Sequence, residues 1–461
     1  MINDLFIHLE IFENALWGYV AVPTIILLGI FLSFQSRFVQ IVQFPKVVKT
    51  FFKFLFVHDK DKDAVHPLQA FFACIGGCVG IGNIVGITTA VQIGGPGALL
   101  WIWITAMAGT MIKYGEVFLG IRYRVLNPKG GYNGGPMYFL QKVFKGSFVP
   151  KLVCLLLCIY GVEIYQFNVI VNSVSSNIGI NPYLVLMILL GLVIFAGSGG
   201  IRRVGNISGF TIPLFVLLYL GMGLWVLFQN IENIPSVIKL VVDTAFTGHA
   251  AVGGFIGSST MGAISQGVRR GCYTGDLGIG YASVIHSESF VKIPQKQASL
   301  VIFDIFVDTF MICTTSVMII LVTDLWYQPI HSSLLVQTAL AQYFPYMEWF
   351  MPLFLFLLGY STINAYFCVG LKCAEYLNPK RGRLLYYAYA AIALSLFALV
   401  DTSQAQTVMT IAGGLLLVFN CYGIFMLRHE ISYDFNFDKR ETPHNLEGTL
   451  NTPVDAFRNS L

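Results

Sequence analysis

Apolar runs separated by brief polar interruptions make up most of this chain, and a helix needs roughly 20 such residues to cross a hydrocarbon core. The pattern predicts eleven spans, at 15–35, 67–92, 96–122, 151–177, 183–198, 207–228, 249–267, 298–323, 346–371, 384–400 and 405–427. Between them lie a basic connection at 37–66, a loop at 229–248 and a polar tail at 428–461 without apolar period. The organisation expected is residues 1–36 as an outer amino terminus and extra first helix, 67–228 as a first five-helix repeat and 249–427 as a second. The fold class is therefore an all-α integral membrane protein of about eleven transmembrane helices.

Two spans break their own pattern. The second reads Cys74-Ile75-Gly76-Gly77-Cys78-Val79-Gly80-Ile81-Gly82-Asn83-Ile84-Val85-Gly86, with five glycines and an asparagine in thirteen residues. Backbone unwound at membrane depth is tolerated only where it lines a cavity or coordinates something. The alternative is close helix packing through small residues. The seventh span repeats the feature in Ala251-Val252-Gly253-Gly254-Phe255-Ile256-Gly257-Ser258-Ser259-Thr260-Met261-Gly262, four glycines before an amphipathic stretch. With the first helix set aside, the breaks fall in the first and sixth of ten helices. That spacing points to two inverted five-helix halves and a secondary transporter with its site at the midplane.

Composition supports the membrane reading: 461 residues are 56% hydrophobic and 11% charged, with mean hydropathy +0.71. A net charge of +4 gives no case for nucleic-acid binding. Lys and Arg gather in alternate connections, which predicts an outer amino terminus and a cytoplasmic carboxy terminus; only Lys239 of the 28 falls outside this sorting. The first fourteen residues are acidic and do not resemble a signal peptide. The nine cysteines, including the i,i+4 pairs Cys74 with Cys78 and Cys154 with Cys158, read as small buried thiols. Gly80-Ile81-Gly82-Asn83-Ile84-Val85-Gly86 lacks dinucleotide-site spacing, no Walker A or HExxH motif is present, and His286 with Glu288 falls in a connection. An ion gradient, not a nucleotide, would drive any accumulation.

Gly82-Asn83-Ile84, Gly94-Gly95-Pro96-Gly97-Ala98, Lys113-Tyr114-Gly115-Glu116-Val117, Gly134-Gly135-Pro136-Met137-Tyr138, Asn172-Ser173, Ala251 to Phe255 and Phe306-Val307-Asp308-Thr309 form an ordered series from one end of the chain to the other. In it the sequence resembles the alanine or glycine:cation symporter family, sodium-coupled amino-acid carriers of bacteria and archaea. The resemblance implies a leucine-transporter-type fold of two inverted five-helix repeats preceded by one extra helix. It implies import of a small neutral amino acid with sodium, in the cytoplasmic membrane, by a protein that works as a monomer, needs no cofactor beyond the coupling ion and catalyses no reaction. The substrate site it implies comprises Ile81, Gly82, Asn83, Ile170, Asn172, Gly254, Phe255 and Tyr366, with backbone amides near Ile81 to Asn83 meeting the carboxylate and Phe255 capping the ligand. The sodium site it implies comprises Gly76, Val79, Ser361 and Thr362. Hydroxyls that bond back to their own helix are the alternative for the last two.

Charged residues inside spans are costly and functional by default. Asp308 is expected to serve structure or coupling, Glu163 to pair within the bundle, and Lys113 with Glu116, three apart on one helix, to pair with each other. The chain departs from the family pattern at the site. Ile81 stands where a Thr is common, Ile170 where a Gln is usual, Tyr366 where a Trp is usual, and Gly275-Asp276 where Asn-Glu is usual. These changes leave open another neutral amino acid such as serine or glutamine, proton coupling, or a channel-like pore.

Overall fold

The structure, a computed structural model, describes residues 2–57, 64–127, 130–247, 260–398 and 402–437. The chain opens with α1 (Ile2–Ala15), passes through a π-helical segment at Leu16–Ala21, and continues as α2 (Val22–Gln35). Helix therefore begins well before residue 15, because the acidic end of α1 has a partner: Glu13 accepts from Arg269 at 2.9 Å. The basic connection is helical too, as α3 (Val39–Val42) and α4 (Phe44–Leu55). Val47, Thr50 and Phe54 of α4 are buried while its lysines face outward, so an amphipathic helix lies against the bundle where a loop was expected.

A histidine starts the first broken helix. His66 Nδ1 accepts from Leu68 N, Gln69 Oε1 accepts from His66 N, and Pro67 occupies the first helical position. Helix α5 (Pro67–Cys78) follows, then a 3-10 turn at Ile81–Asn83 and α6 (Val85–Gly94), bent from α5 by 52°. Next come α7 (Ala98–Arg122), a two-stranded hairpin (Val125–Leu126 with Tyr132–Asn133), α8 (Pro136–Val143), α9 (Phe148–Tyr160), α10 (Ile164–Ile178), α11 (Pro182–Gly197), α12 (Gly200–Gln229) and α13 (Ile234–Thr247). The second half supplies α14 (Thr260–Gly275), α15 (Tyr281–His286), α16 (Pro294–Ala298), α17 (Leu300–Ile305), a π-helical segment at Phe306–Cys313 and α18 (Thr314–Val322). It ends with α19 (Ser332–Ala341), α20 (Met347–Leu377), α21 (Gly382–Phe397) and α22 (Thr402–Met426).

Six helices among the described residues are alone long and apolar enough to cross a membrane, and the bent pair α5–α6 makes a seventh. The other expected spans are α7, which carries Lys113, Glu116 and Arg122; α11 and α21, of 16 residues each; and α14. Each of the eleven spans thus has its helix, α14 supplying only the end of the seventh. Helix α5 packs against α12 and α20, α6 against α14 and α19, and α7 against α2 and α14. The unwound stretch after Cys78 is consequently enclosed by α10, α14 and α20.

The sequence of the tail has no apolar period and so no sign of packing. Residues 428–437 instead dock on α7: Tyr114 donates to Ser432 O at 2.7 Å, Arg122 pairs with Glu430 at 2.8 Å, and Tyr433 and Phe435 stack on Tyr114. Two aromatic rings and an ion pair give this stretch an interface that its sparse apolar pattern did not disclose.

Candidate functional site

At Val79 and Gly80 the backbone turns extended, leaving the last carbonyls of α5 and the first amides of the next segment without helical partners. Asn83 of the break and side chains from three other elements gather there. Gly80 N donates to Asn83 Oδ1 at 3.0 Å, and Ile81 N to Gln166 Oε1 of α10 at 3.3 Å. Asn83 Nδ2 donates to Asp308 Oδ1 at 2.5 Å, and Thr309 Oγ1 to Asp308 Oδ2 at 2.8 Å. Asp308 lies in the π-helical segment, where one extra residue per turn aims its carboxylate at the break. On the other side Thr362 Oγ1 donates to Gly76 O at 3.1 Å and to Leu358 O at 3.2 Å.

Gly76, Ser361 and Thr362 thus come together as the sequence implied, and Ser208 of α12 joins them, its Oγ 2.7 Å from Ser361 Oγ. A methyl group on Gly76 would lie 2.5 Å from Ser208 Oγ and 2.7 Å from Ser361 Oγ, so only glycine admits this approach. Val79, fully buried, continues the same backbone one turn further on. The cluster offers neutral, hard oxygens without a carboxylate of its own, a donor set suited to a monovalent hard cation. Ser208 was missed because a lone serine in an apolar helix carries no positional signal.

Beside the break lies a buried ionic node. Lys113 Nζ donates to Asp304 Oδ2 at 2.6 Å, Gly275 O at 2.9 Å and Cys78 Sγ at 3.3 Å, with Lys113 and Asp304 both at zero exposure. Lys113 does not pair with Glu116. Glu116 instead accepts from Gly280 N and Ser283 N, both at 3.1 Å, capping the start of α15. Cys74, Cys78 and Asp304 bring two thiols and a carboxylate within reach of one centre, but the lysine ammonium already fills it. All nine cysteines are buried and unbridged.

Ile81 and Ile170 meet over Gly359, where an added methyl would lie 2.9 and 2.6 Å from their Cδ1 atoms. The carboxamide absent from position 170 has a counterpart one turn earlier, in Gln166. Gly82 packs loosely beside Thr274 and Tyr273, at 3.4 and 3.5 Å from a built methyl. Gly254 and Phe255, with the rest of the second break, lie outside the described residues. Tyr366 joins a group of buried rings. It stacks on Tyr281 at 4.0 Å and donates to Asp276 Oδ1 at 3.2 Å. With Tyr165, Tyr273 and Tyr160 these rings form a buried column past the break, T-shaped contacts linking Tyr165 to Tyr273, Tyr273 to Tyr160 and Tyr160 to Tyr366. Glu163, in a left-handed backbone conformation (φ 51°) between α9 and α10, accepts from Tyr273 at 3.1 Å. Its partner is thus a phenol and not a cation.

Above the column a cavity of about 680 Å³ opens on the face shared by Glu10, Ile93, Ser176 and Ser403. Of the described residues expected to bind substrate, only Asn172 lines it, its Nδ2 donating to Asn168 at 2.9 Å; Val85, Tyr165, Val169 and Arg270, among the most buried lining residues, form the cavity floor. Arg269 and Arg270 were grouped with a cytoplasmic connection. They instead sit within α14, and Arg269 bonds Glu13 and Asn14 near the start of the chain.

A broken helix enclosed by inward hydroxyls, with an open cavity on one face and packed rings on the other, defines a secondary transporter rather than an enzyme. The chain belongs to the sodium:alanine symporter family, whose pattern matches residues 4–443. It is 30% identical over 440 residues to an uncharacterized transporter of Haemophilus influenzae, covering 92% of this chain and 94% of that one. It is 29% identical to the sodium/alanine symporter AgcS of Methanococcus maripaludis over 90% of this chain and 93% of the relative. A probable sodium/glutamine symporter of Bacillus subtilis shows 29% identity, with 90% and 87% covered. Among solved structures, MhsT in complex with L-phenylalanine shares the fold at TM-score 0.55 and 15% identity, over 78% of this chain and 88% of that one. The architecture is that leucine-transporter-type fold, two inverted five-helix repeats, with α1 and α2 as the added first span.

Proposed function

We propose that this chain imports a small neutral amino acid together with sodium, alternating access around the broken helix α5–α6 and the half-helix α14. The observation that carries the reading is the oxygen cluster of Gly76, Ser208, Ser361 and Thr362 at the break, which joins the first broken helix to α12 and α20. Sodium bound there would hold these three elements together, and its loss would free them to part. Ile81 and Ile170 give the neighbouring wall an apolar character suited to a methyl side chain, which favours alanine. The relatives' names support sodium coupling, alanine and glutamine as the candidates to compare. On this reading the cavity faces outside, the docked tail lies in the cytoplasm, and the protein works as a monomer in the cytoplasmic membrane.

The test is uptake of labelled L-alanine, D-alanine, glycine, serine and glutamine into proteoliposomes under an inward sodium gradient, a proton gradient or neither. Sodium-dependent accumulation of L-alanine or glycine is expected. Accumulation under the proton gradient alone would reject sodium coupling, and rapid equilibration without accumulation would favour a pore.

A further inference from the structure

Arg270 is 4% exposed, lines the cavity floor, and has a buried Nε without a hydrogen-bond partner. Its neighbour Arg269 is neutralised by Glu13 at 2.9 Å, but among the described residues no carboxylate lies within ion-pair distance of Arg270. An uncompensated charge held away from bulk water is expensive unless something arrives to pair with it. The guanidinium also sits against the first turn of α6, Nη1 lying 3.6 Å from where a methyl on Gly86 would be. The open amides of that helix start add positive potential to the same spot. Meanwhile the amides of Gly80 and Ile81, at the break itself, are occupied by Asn83 and Gln166 in this conformation. An entering anion therefore meets Arg270 before any free donor of the break.

We propose that Arg270 is the carboxylate-binding residue of an entry subsite at the cavity floor, holding the carboxylate of the amino acid before the ligand reaches the unwound backbone. This rests on the amino-acid reading above. A planar fork of donors suits a carboxylate, and a charge-assisted pair of this kind discriminates an acid from its amide.

The experiment is calorimetric titration of the purified protein and of its R270Q and R270K variants with L-alanine, glycine and L-glutamine and with their α-carboxamide analogues. It is run in chloride and in gluconate buffers. R270Q should lose about 10- to 100-fold in affinity for the acid that the wild type binds. It should no longer distinguish that acid from its amide, while R270K falls between. Unchanged affinity and unchanged acid-to-amide preference in both variants would overturn the subsite. So would a difference that vanishes in gluconate, which would make an inorganic anion the ligand. If R270Q does not fold, R270K and the wild-type preference between acid and amide still decide the matter. Failure of the wild type to bind any amino acid would refute the transport reading itself, whereas failure of the variants alone leaves that reading standing.

Discussion

Lys113 shows how much a single side chain can join. Its ammonium touches α5 through Cys78, the end of α14 through Gly275 and α17 through Asp304, while its own backbone belongs to α7. Replacing it with methionine leaves Asp304 charged and unpaired in the interior, which should lower stability by about 3–5 kcal/mol. The double variant Lys113→Met with Asp304→Asn should recover much of that loss. Thermal unfolding of the purified variants measures both, and equal melting of the single and double variants would show that the pair is not coupled. Asp304 is an unremarkable carboxylate in the sequence, and the expected Lys113–Glu116 pair followed helix spacing alone. Spacing says which side chains can meet on one helix, but a lysine reaches across helices, and the neighbour from α17 won. For the cation, Ser361→Ala with Thr362→Ala, and Ser208→Ala separately, should each raise the sodium concentration for half-maximal uptake. Unchanged sodium dependence in all of them would move the ion elsewhere.

The broken helix was legible because glycine clusters have few other uses at membrane depth, but the break itself is confined to Val79–Ile84, with Gly76, Gly77 and Gly86 still helical. Which glycine matters was not legible, since that depends on what crosses above it. A methyl on Gly80 would come within 2.4 Å of Thr362 Oγ1 and 2.8 Å of Gln166 Oε1, whereas one on Gly82 meets nothing closer than 3.4 Å. Gly80→Ala should therefore abolish or severely reduce uptake while Gly82→Ala retains it, with membrane insertion intact in both. Loss in Gly82→Ala alone would place the site further along the chain. The amphipathic character of α4 could have been read from its three-and-four spacing, but a basic stretch between spans reads first as a connection. The interruption at Glu163 had no signal beyond Gly161, and the π-helical aim of Asp308 had none, since one extra residue in a turn leaves no mark on an apolar run.

For the molecule as a whole, the number and order of the spans were readable because lipid leaves helices so few alternatives. The charge sorting failed locally at Arg269 and Arg270, where basic residues serve the interior and not the membrane side. The contact of Arg269 with Glu13 makes the added first span a support for half-helix α14. Glu13→Gln should reduce the transport rate more than it reduces expression, measured as uptake per folded protein. Finally, the tethered ammonium of Lys113 fills the position where the ends of α5 and α14 converge, a place a mobile cation could otherwise take. If the cluster at Ser361 and Thr362 seats a single coupling sodium, as proposed above, a zwitterion adds no charge of its own. Each turnover should then carry one unit of current. A potential of 100 mV, negative inside, would supply about 2.3 kcal/mol to the cycle, enough for roughly 50-fold accumulation before any sodium gradient is counted. Uptake at equal sodium on both sides should accordingly rise when a potassium diffusion potential is imposed, and a flat response would mean that the cycle is electrically silent.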